Sequence, residues 1–179
     1  MEPVNTDDKI LKLLATDANA AFKLLFDKYY KYLCLVVYRM IPDRNLTEDI
    51  VQEVMHDFWK KHKTIEIKTS IKAYLHRSTI NKTLNHIRDK KMVYEDEAQM
   101  VALKSKTADI DELINVRELQ NSINEAIETL PNRCRIIFSL SRFEELSYKE
   151  IAEKLGISVK TVENQISKAL RILRKVLNK

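Results

Sequence analysis

The chain has 179 residues, which fits one or two compact domains. It contains a single glycine and three prolines, while 45% of its residues are hydrophobic and 32% are charged, so it has little of the turn chemistry that β-sheets need. We therefore expect an all-α fold with two small helical domains joined by a linker. The longest apolar run, 33–38, is far shorter than the ~20 residues of a membrane span, and the N-terminus lacks a secretory signal. A soluble, cytoplasmic protein without membrane insertion is expected.

Apolar residues recur at helical spacing through the first 91 residues. The pattern runs to Ile41, just before Pro42, and predicts two helices joined by a turn. A following helix is predicted to start near Thr47, whose hydroxyl can cap its first turn. Another is predicted after a cap at Ser70. Its expected apolar positions are Ile71, Tyr74, Leu75, Ile80, Leu84 and Ile87.

An acidic segment separates this half from a second helical half. Residues 92–130 carry 3 Lys and Arg against 9 Asp and Glu, whereas the ratios are 6 to 1 in residues 71–91 and 11 to 5 in residues 131–179. Two basic segments suit two contacts with a polyanion, although two solvated helix faces would give the same pattern. The predicted domains are residues 1–91 and 115–179, and the linker 92–114 is either mobile or a frayed helix.

The last fifty residues carry the strongest local signals. After a helix predicted from Pro131 to Phe143, Ser147 and Glu150 have the spacing of a capping box. Gly156 can take the left-handed conformation that ends a helix, and Ser158 can cap the next one. These features predict a helix-turn-helix, in which the second helix enters the DNA major groove. Its expected buried residues are Val162, Ile166, Ala169, Leu170 and Leu173.

The opposite face of that second helix has the side chains of a groove reader. Lysine and arginine reach phosphates or guanine, asparagine pairs with adenine, and Glu163 accepts from cytosine or faces water. The alternative is an ordinary helical hairpin with a polar face. The predicted DNA-binding residues are Lys160, Thr161, Asn164, Ser167, Lys168 and Arg171.

Signals for catalysis or metal binding are weak in comparison. Cys34 and Cys134 are a hundred residues apart in apolar patterns and are predicted to be reduced core residues. The sequence has no phosphate-cradling glycine loop and no nucleophile elbow. We therefore predict no catalytic residues, no cofactor, no metal and no enzymatic activity. The four histidines, which lack metal-ligand spacing, are predicted at the surface or facing DNA: His56, His62, His76 and His86.

Segments in both halves of the chain resemble one protein family. From Leu130 onward, LPNRCRIIFSLSRFEELSYKEIAEKLGISVKTVENQISKALRILRKVL is similar to the promoter-reading domain of bacterial sigma-70 factors of the extracytoplasmic-function (ECF) group, although response regulators have similar helices. EDIVQEVMHDFW looks like the polymerase-docking helix of that family, and IKAYLHRSTINKTLNHIRDKK looks like its promoter-melting helix. The resemblance covers residues 15–91 and 115–177. Tyr74 replaces the usual tryptophan, and Glu145 replaces a usual glycine, which can alter the bend before the motif.

The resemblance implies a sigma factor that directs core RNA polymerase to promoters and initiates transcription. The implied partners are the β′ clamp coiled coil and β flap of core polymerase, promoter DNA and an anti-sigma factor. The polymerase-binding residues would be Asp49, Gln52 and Glu53, which form a compact acidic surface on one helix. The residues that capture the minus-ten strand would be Arg77, Asn81, Lys82, Asn85, Arg88 and Lys91.

The helix-turn-helix would read the minus-thirty-five element. Trp59 and Tyr74 are expected in the core or an interface rather than as stacking platforms. Two rival functions stay open: a helix-turn-helix regulator that binds duplex DNA without polymerase, and a helical interaction module.

Overall fold

The structure is a computed structural model that describes residues 6–65, 67, 70–90 and 125–177. Regular structure within these ranges is α-helical, which confirms the predicted all-α fold. Lys91 and the predicted linker 92–114 lie outside the described residues. The helices are α1 (Thr6–Thr16), α2 (Ala18–Tyr38), α3 (Arg44–Lys61), α4 (Ile71–Asp89), α5 (Asn132–Arg142), α6 (Tyr148–Leu155) and α7 (Val159–Leu177).

The chain divides into two compact units. Unit 1 consists of Met1–Tyr38 and Asp43–Thr83, and unit 2 of Arg39–Pro42 and Leu84–Lys179. In the described part of the chain, no helix combines the length and the apolar character needed to cross a membrane.

Unit 1 is built on α2, against which α1 and α3 pack. Asp7 links α1 to α2, because its carboxylate accepts hydrogen bonds from Lys28 Nζ at 2.6 Å and from the Tyr29 hydroxyl at 2.5 Å. The ring of buried Phe58 on α3 meets the ring of Tyr74 on α4 edge to face, with centroids 5.9 Å apart. Tyr74 is half-buried. Aliphatic side chains fill the rest of the core, including Leu25, Leu33, Val51, Met55, Ile71 and Leu75.

The start of α3 differs from the sequence prediction. Asp43, not Thr47, is the N-cap, and its carboxylate accepts a hydrogen bond from the Leu46 amide at 3.1 Å. Thr47 lies one turn later and is 97% buried, so the prediction of a cap at Thr47 is wrong. The prediction for α4 is confirmed, since the Ser70 hydroxyl accepts from the Ala73 amide at 3.1 Å.

Unit 2 has its own apolar core beneath the helix-turn-helix. Residues 125–128 are helical, and Pro131 is the N-cap of α5. Side chains before and within α5 pack against Ala169 and Leu173 of α7. Cys134 is buried there, and its Sγ donates to Gln165 Oε1 at 2.8 Å. The cluster consists of Ala126, Ile127, Leu130, Cys134, Ala169 and Leu173.

Both cysteines are free thiols. Burial raises the pKa of each thiol to about 11, so both stay protonated at neutral pH. Cys34 is half-buried rather than fully in the core.

Candidate nucleic-acid interface

The helix-turn-helix forms as its local signals predict. The Ser147 hydroxyl accepts from the Glu150 amide at 3.3 Å, and Glu150 Oε2 accepts from the Ser147 amide at 2.9 Å. Gly156 ends α6 with a φ of 67°, and its left-handed backbone lets the Ile157 amide donate to the Ala152 carbonyl at 3.0 Å. Ala152 is buried, which allows α6 and α7 to approach closely.

The first turn of α7 is held by short polar contacts. Ser158 Oγ accepts from the Thr161 amide at 3.0 Å and lies 2.9 Å from the Thr161 hydroxyl. Lys160 Nζ lies 3.2 Å from Glu163 Oε2, and its side chain is 78% exposed. Because a surface pair of this kind is weak, Lys160 can exchange the carboxylate for a DNA phosphate. Glu163 thus has a contact within its own helix that the sequence did not indicate.

The rest of the predicted reading face is solvent-accessible. Asn164, Ser167 and Arg171 are exposed, whereas Thr161 and Lys168 are half-buried. Leu170 was predicted in the core, but it is 51% exposed, and this prediction is wrong. The buried stripe of α7 is narrower than the sequence indicated because it contains Val162, Ile166, Ala169 and Leu173 without Leu170.

The turn before α6 contains an unusual backbone conformation. Glu145 has a φ of 54°, and among the described residues it is the one non-glycine position with a positive φ. The following amide, of Leu146, donates to the Leu140 carbonyl at 3.2 Å and so closes the turn after α5. The glycine expected here from the family pattern would take this conformation without a steric cost.

In unit 1, an acidic row runs along one side of α3. Asp49, Gln52 and Glu53 are all exposed, and their spacing places them on one helix face. Gln52 also hydrogen-bonds the Tyr30 side chain, which ties it to α2. Asp57, one turn beyond Glu53, extends the row, and the sequence analysis did not include it.

A basic and amide row runs along α4. Arg77, Asn81, Asn85 and Arg88 are exposed and follow one another at intervals of four, four and three residues, so they share a face. The Arg88 guanidinium donates to the Asn85 side-chain carbonyl. The structure thus brings four of the six predicted minus-ten residues into one row.

Lys82 is placed differently from its neighbours on α4. Its Nζ lies 3.0 Å from Glu53 Oε2 and 3.1 Å from Asp57 Oδ2. The hydrogen bonds that Lys82 donates to these carboxylates raise the pKa of Lys82, and the one to Asp57 lowers the pKa of Asp57. Lys82 therefore connects the basic helix to the acidic row.

His62 and His76 contact neighbouring aromatic side chains. The His62 ring stacks on Trp59 with centroids 5.0 Å apart, and Trp59 packs edge to face on Phe22 at 5.2 Å. His76 Nδ1 lies 2.8 Å from the Tyr32 hydroxyl. His62, His76 and His86 are half-buried and His56 is exposed, so the predicted place of the three half-buried rings at the surface or facing DNA stays a prediction.

The fold and these surfaces define a class of protein. Helix α3 presents an acidic row and α4 a basic and amide row, and α6 and α7 form a capped helix-turn-helix with a polar reading face. This combination is typical of a DNA-binding protein that also has a protein-docking surface.

Comparisons with known proteins give the family. Residues 25–92 match the family model for sigma-70 region 2, and residues 120–173 match that for sigma-70 region 4. The chain is 30% identical to the ECF RNA polymerase sigma factor SigW of Bacillus subtilis over 94% of this chain and 95% of the relative. It is 24% identical to the ECF RNA polymerase sigma-E factor of Haemophilus influenzae over 94% and 93% of the two chains.

The sigma factor RpoE of Bartonella quintana, solved in complex with the anti-sigma factor NepR, is similar in structure. It covers 88% of this chain and 96% of its own, at 19% identity and a TM-score of 0.47. On the evidence of the two matched regions and the SigW relative, the chain belongs to the sigma-70 family, in its ECF group.

Proposed function

We propose that this chain is a sigma factor that binds core RNA polymerase, directs it to specific promoters and initiates transcription. The observation that carries the proposal is the pair of rows on two helices, the acidic one on α3 and the basic and amide one on α4. A DNA-binding regulator needs a reading helix but has no need of both. Membership of the sigma-70 family supports the same function.

The acidic row on α3 is proposed to contact the clamp coiled coil in the β′ subunit. Asp49 and Glu53 supply two carboxylates on one face, and Gln52 adds an amide beside them. Carboxylates of this kind form charge-assisted, often bidentate hydrogen bonds with arginine on a partner helix. The side chain of Glu53 is 63% exposed, so a partner can reach it without rearrangement of the helix.

The row on α4 is proposed to hold the opened strand of the minus-ten element. Arg77 and Arg88 stand at its two ends, and each can neutralise one phosphate. Asn81 and Asn85 lie between them and can hydrogen-bond to the edges of unstacked bases. Extruding a base costs a few kcal/mol of unstacking, which contacts of this kind offset.

The reading helix α7 is proposed to enter the major groove at the minus-thirty-five element. In this proposal Lys160, Thr161 and Asn164, in the first two turns of the helix, meet the base edges, and Lys168 and Arg171 meet the phosphates. Contact of the same unit with the β flap, and control by an anti-sigma factor, belong to the proposal as consequences of family membership. The chain is proposed to act in the cytoplasm, where its template lies, without catalytic activity of its own.

The polymerase contact can be tested with a triple variant, Asp49→Ala, Gln52→Ala and Glu53→Ala. We expect its affinity for core polymerase to fall by about tenfold or more, the loss of roughly 1.4 kcal/mol that a small hot spot accounts for. Affinity for duplex DNA should not fall with it. A matched control, Asp8→Ala with Asp27→Ala, removes two exposed carboxylates from α1 and α2 and should bind core polymerase normally. Unchanged core binding by the triple variant would reject the assigned surface.

The duplex contact can be tested by the salt dependence of binding. Lys168→Ala and Arg171→Ala should each reduce the slope of log affinity against log salt by about one unit if each side chain neutralises a phosphate. Lys9→Ala removes an exposed cation from α1 and serves as the control. A slope equal to that of the unmodified chain would place both residues off the DNA.

A further inference from the structure

We infer that Lys82 is shared between the acidic surface on α3 and the strand-binding surface on α4: Glu53 and Asp57 hold it in the free chain, and polymerase binding at Glu53 releases it toward the DNA strand. Asp57 is then a positioning residue that acts through Lys82. This inference rests on the proposed function, because it requires α3 to meet polymerase and α4 to meet DNA.

The geometry makes Lys82 the bridge between two helices. Glu53 and Asp57 are four residues apart on α3, and both carboxylates lie within 3.1 Å of one ammonium on α4. An ammonium group has three donors, and the two carboxylates take two of them. Asn81 precedes Lys82 and Asn85 lies three residues after it on α4, and both belong to the proposed strand-binding row, so Lys82 lies at the edge of that row.

The exposure of the three side chains favours exchange of partners. Glu53 and Asp57 are 63% and 51% exposed, whereas Lys82 is 32% exposed. A docking protein therefore reaches the carboxylates before the lysine. Surface ion pairs contribute little free energy and are screened by salt, so an arginine of the partner can displace Lys82 from Glu53.

Displacement leaves Lys82 with Asp57 alone, so a second N–H of its ammonium group becomes available to DNA. The Lys82 ammonium should then bind a nearby phosphate more tightly than it does in the free chain. Since coupling between two binding events is reciprocal, strand binding should also strengthen polymerase binding by the same factor. Binding at one surface would thus change the affinity of the other surface through the Lys82 side chain.

The test measures binding of the full chain to a fluorescein-labelled 12-nucleotide oligothymidylate by anisotropy. The double variant Glu53→Gln with Asp57→Asn keeps the side-chain shapes but removes both charges, so it releases Lys82. We expect affinity to rise by about two- to fivefold, the range that a surface ion pair accounts for. The salt slope should steepen by about 0.7, one phosphate contact on a single strand.

The decisive comparison repeats the measurement with Lys82→Met. If the gain comes from Lys82, the double variant should have no more than a small effect in that background. Asp8→Asn with Asp27→Asn removes the same charge from exposed positions on α1 and α2 and controls for net charge. An equal gain with Lys82→Met, or no gain with Lys82 present, would overturn the inference.

The proposed function has a separate readout in the same variants. Binding to core polymerase should weaken in the Glu53→Gln, Asp57→Asn chain if α3 is the docking surface, whatever the oligonucleotide result. Since all three substitutions are at exposed or half-buried surface positions, folding is checked by thermal unfolding and should be retained.

Discussion

Replacing Glu145 with glycine should stabilise the chain. A residue with a Cβ in the left-handed region costs roughly 1–2 kcal/mol, and glycine avoids that cost. Glycine loses about 0.5–1 kcal/mol more backbone entropy on folding, which offsets part of the gain. With the φ of 54° at Glu145, the net gain should be about 0.5–1 kcal/mol. For a chain of this size, that gain corresponds to a rise in Tm of about 1–4 °C.

Thermal unfolding of the full chain measures this effect. Glu145→Ala is the matched control, since it removes the carboxylate but keeps a Cβ at the same backbone position. Its Tm should stay near that of the unmodified chain. A Glu145→Gly chain no more stable than Glu145→Ala would refute the reasoning from backbone strain.

Three further changes test the helix-turn-helix unit. Ser147→Ala should lower the free energy of unfolding by about 1 kcal/mol in urea titration. Ser147→Asp should keep most of this contribution, because aspartate also caps a helix. Leu170→Gln should change stability by less than about 0.5 kcal/mol, while Leu173→Ala should cost about 2–4 kcal/mol; equal losses would place Leu170 in the core. The hydrogen bonds from Ser147 lower the pKa of Glu150 below its ordinary 4.5, so its contribution is full above pH 4.5 and is lost as the pH falls through the lowered value. The Tm of Glu150→Gln should therefore fall less steeply than that of the unmodified chain as the pH is lowered below 4.5. Thermal unfolding at successive pH values measures this difference.

The helix-turn-helix could be predicted from sequence because its signals act over short distances. Ser147 bonds an amide three residues away, and Gly156 ends α6 by its own backbone conformation. Ser158 repeats the capping interaction for α7. None of these features needs knowledge of what packs against the helices.

Features that depend on tertiary packing were harder to predict. The sequence analysis took Thr47 as the cap of α3, but packing buries Thr47 and the N-cap is Asp43. Leu170 fits the apolar period of α7, yet no described helix covers it fully, since its exposed fraction is 51%. The Lys82 contact joins residues 25 positions apart, so only the packing of α3 against α4 creates it.

Reconstituted transcription tests the central proposal most directly. Core RNA polymerase is supplied with the purified chain and a promoter library, and the 5′ ends of the transcripts are mapped. The expected result is initiation at a restricted set of sites that depends on the chain and is lost when Asp49, Gln52 and Glu53 are replaced together by alanine. A chain that binds duplex DNA but never associates with core polymerase, and starts no transcript in its presence, would contradict the proposed function.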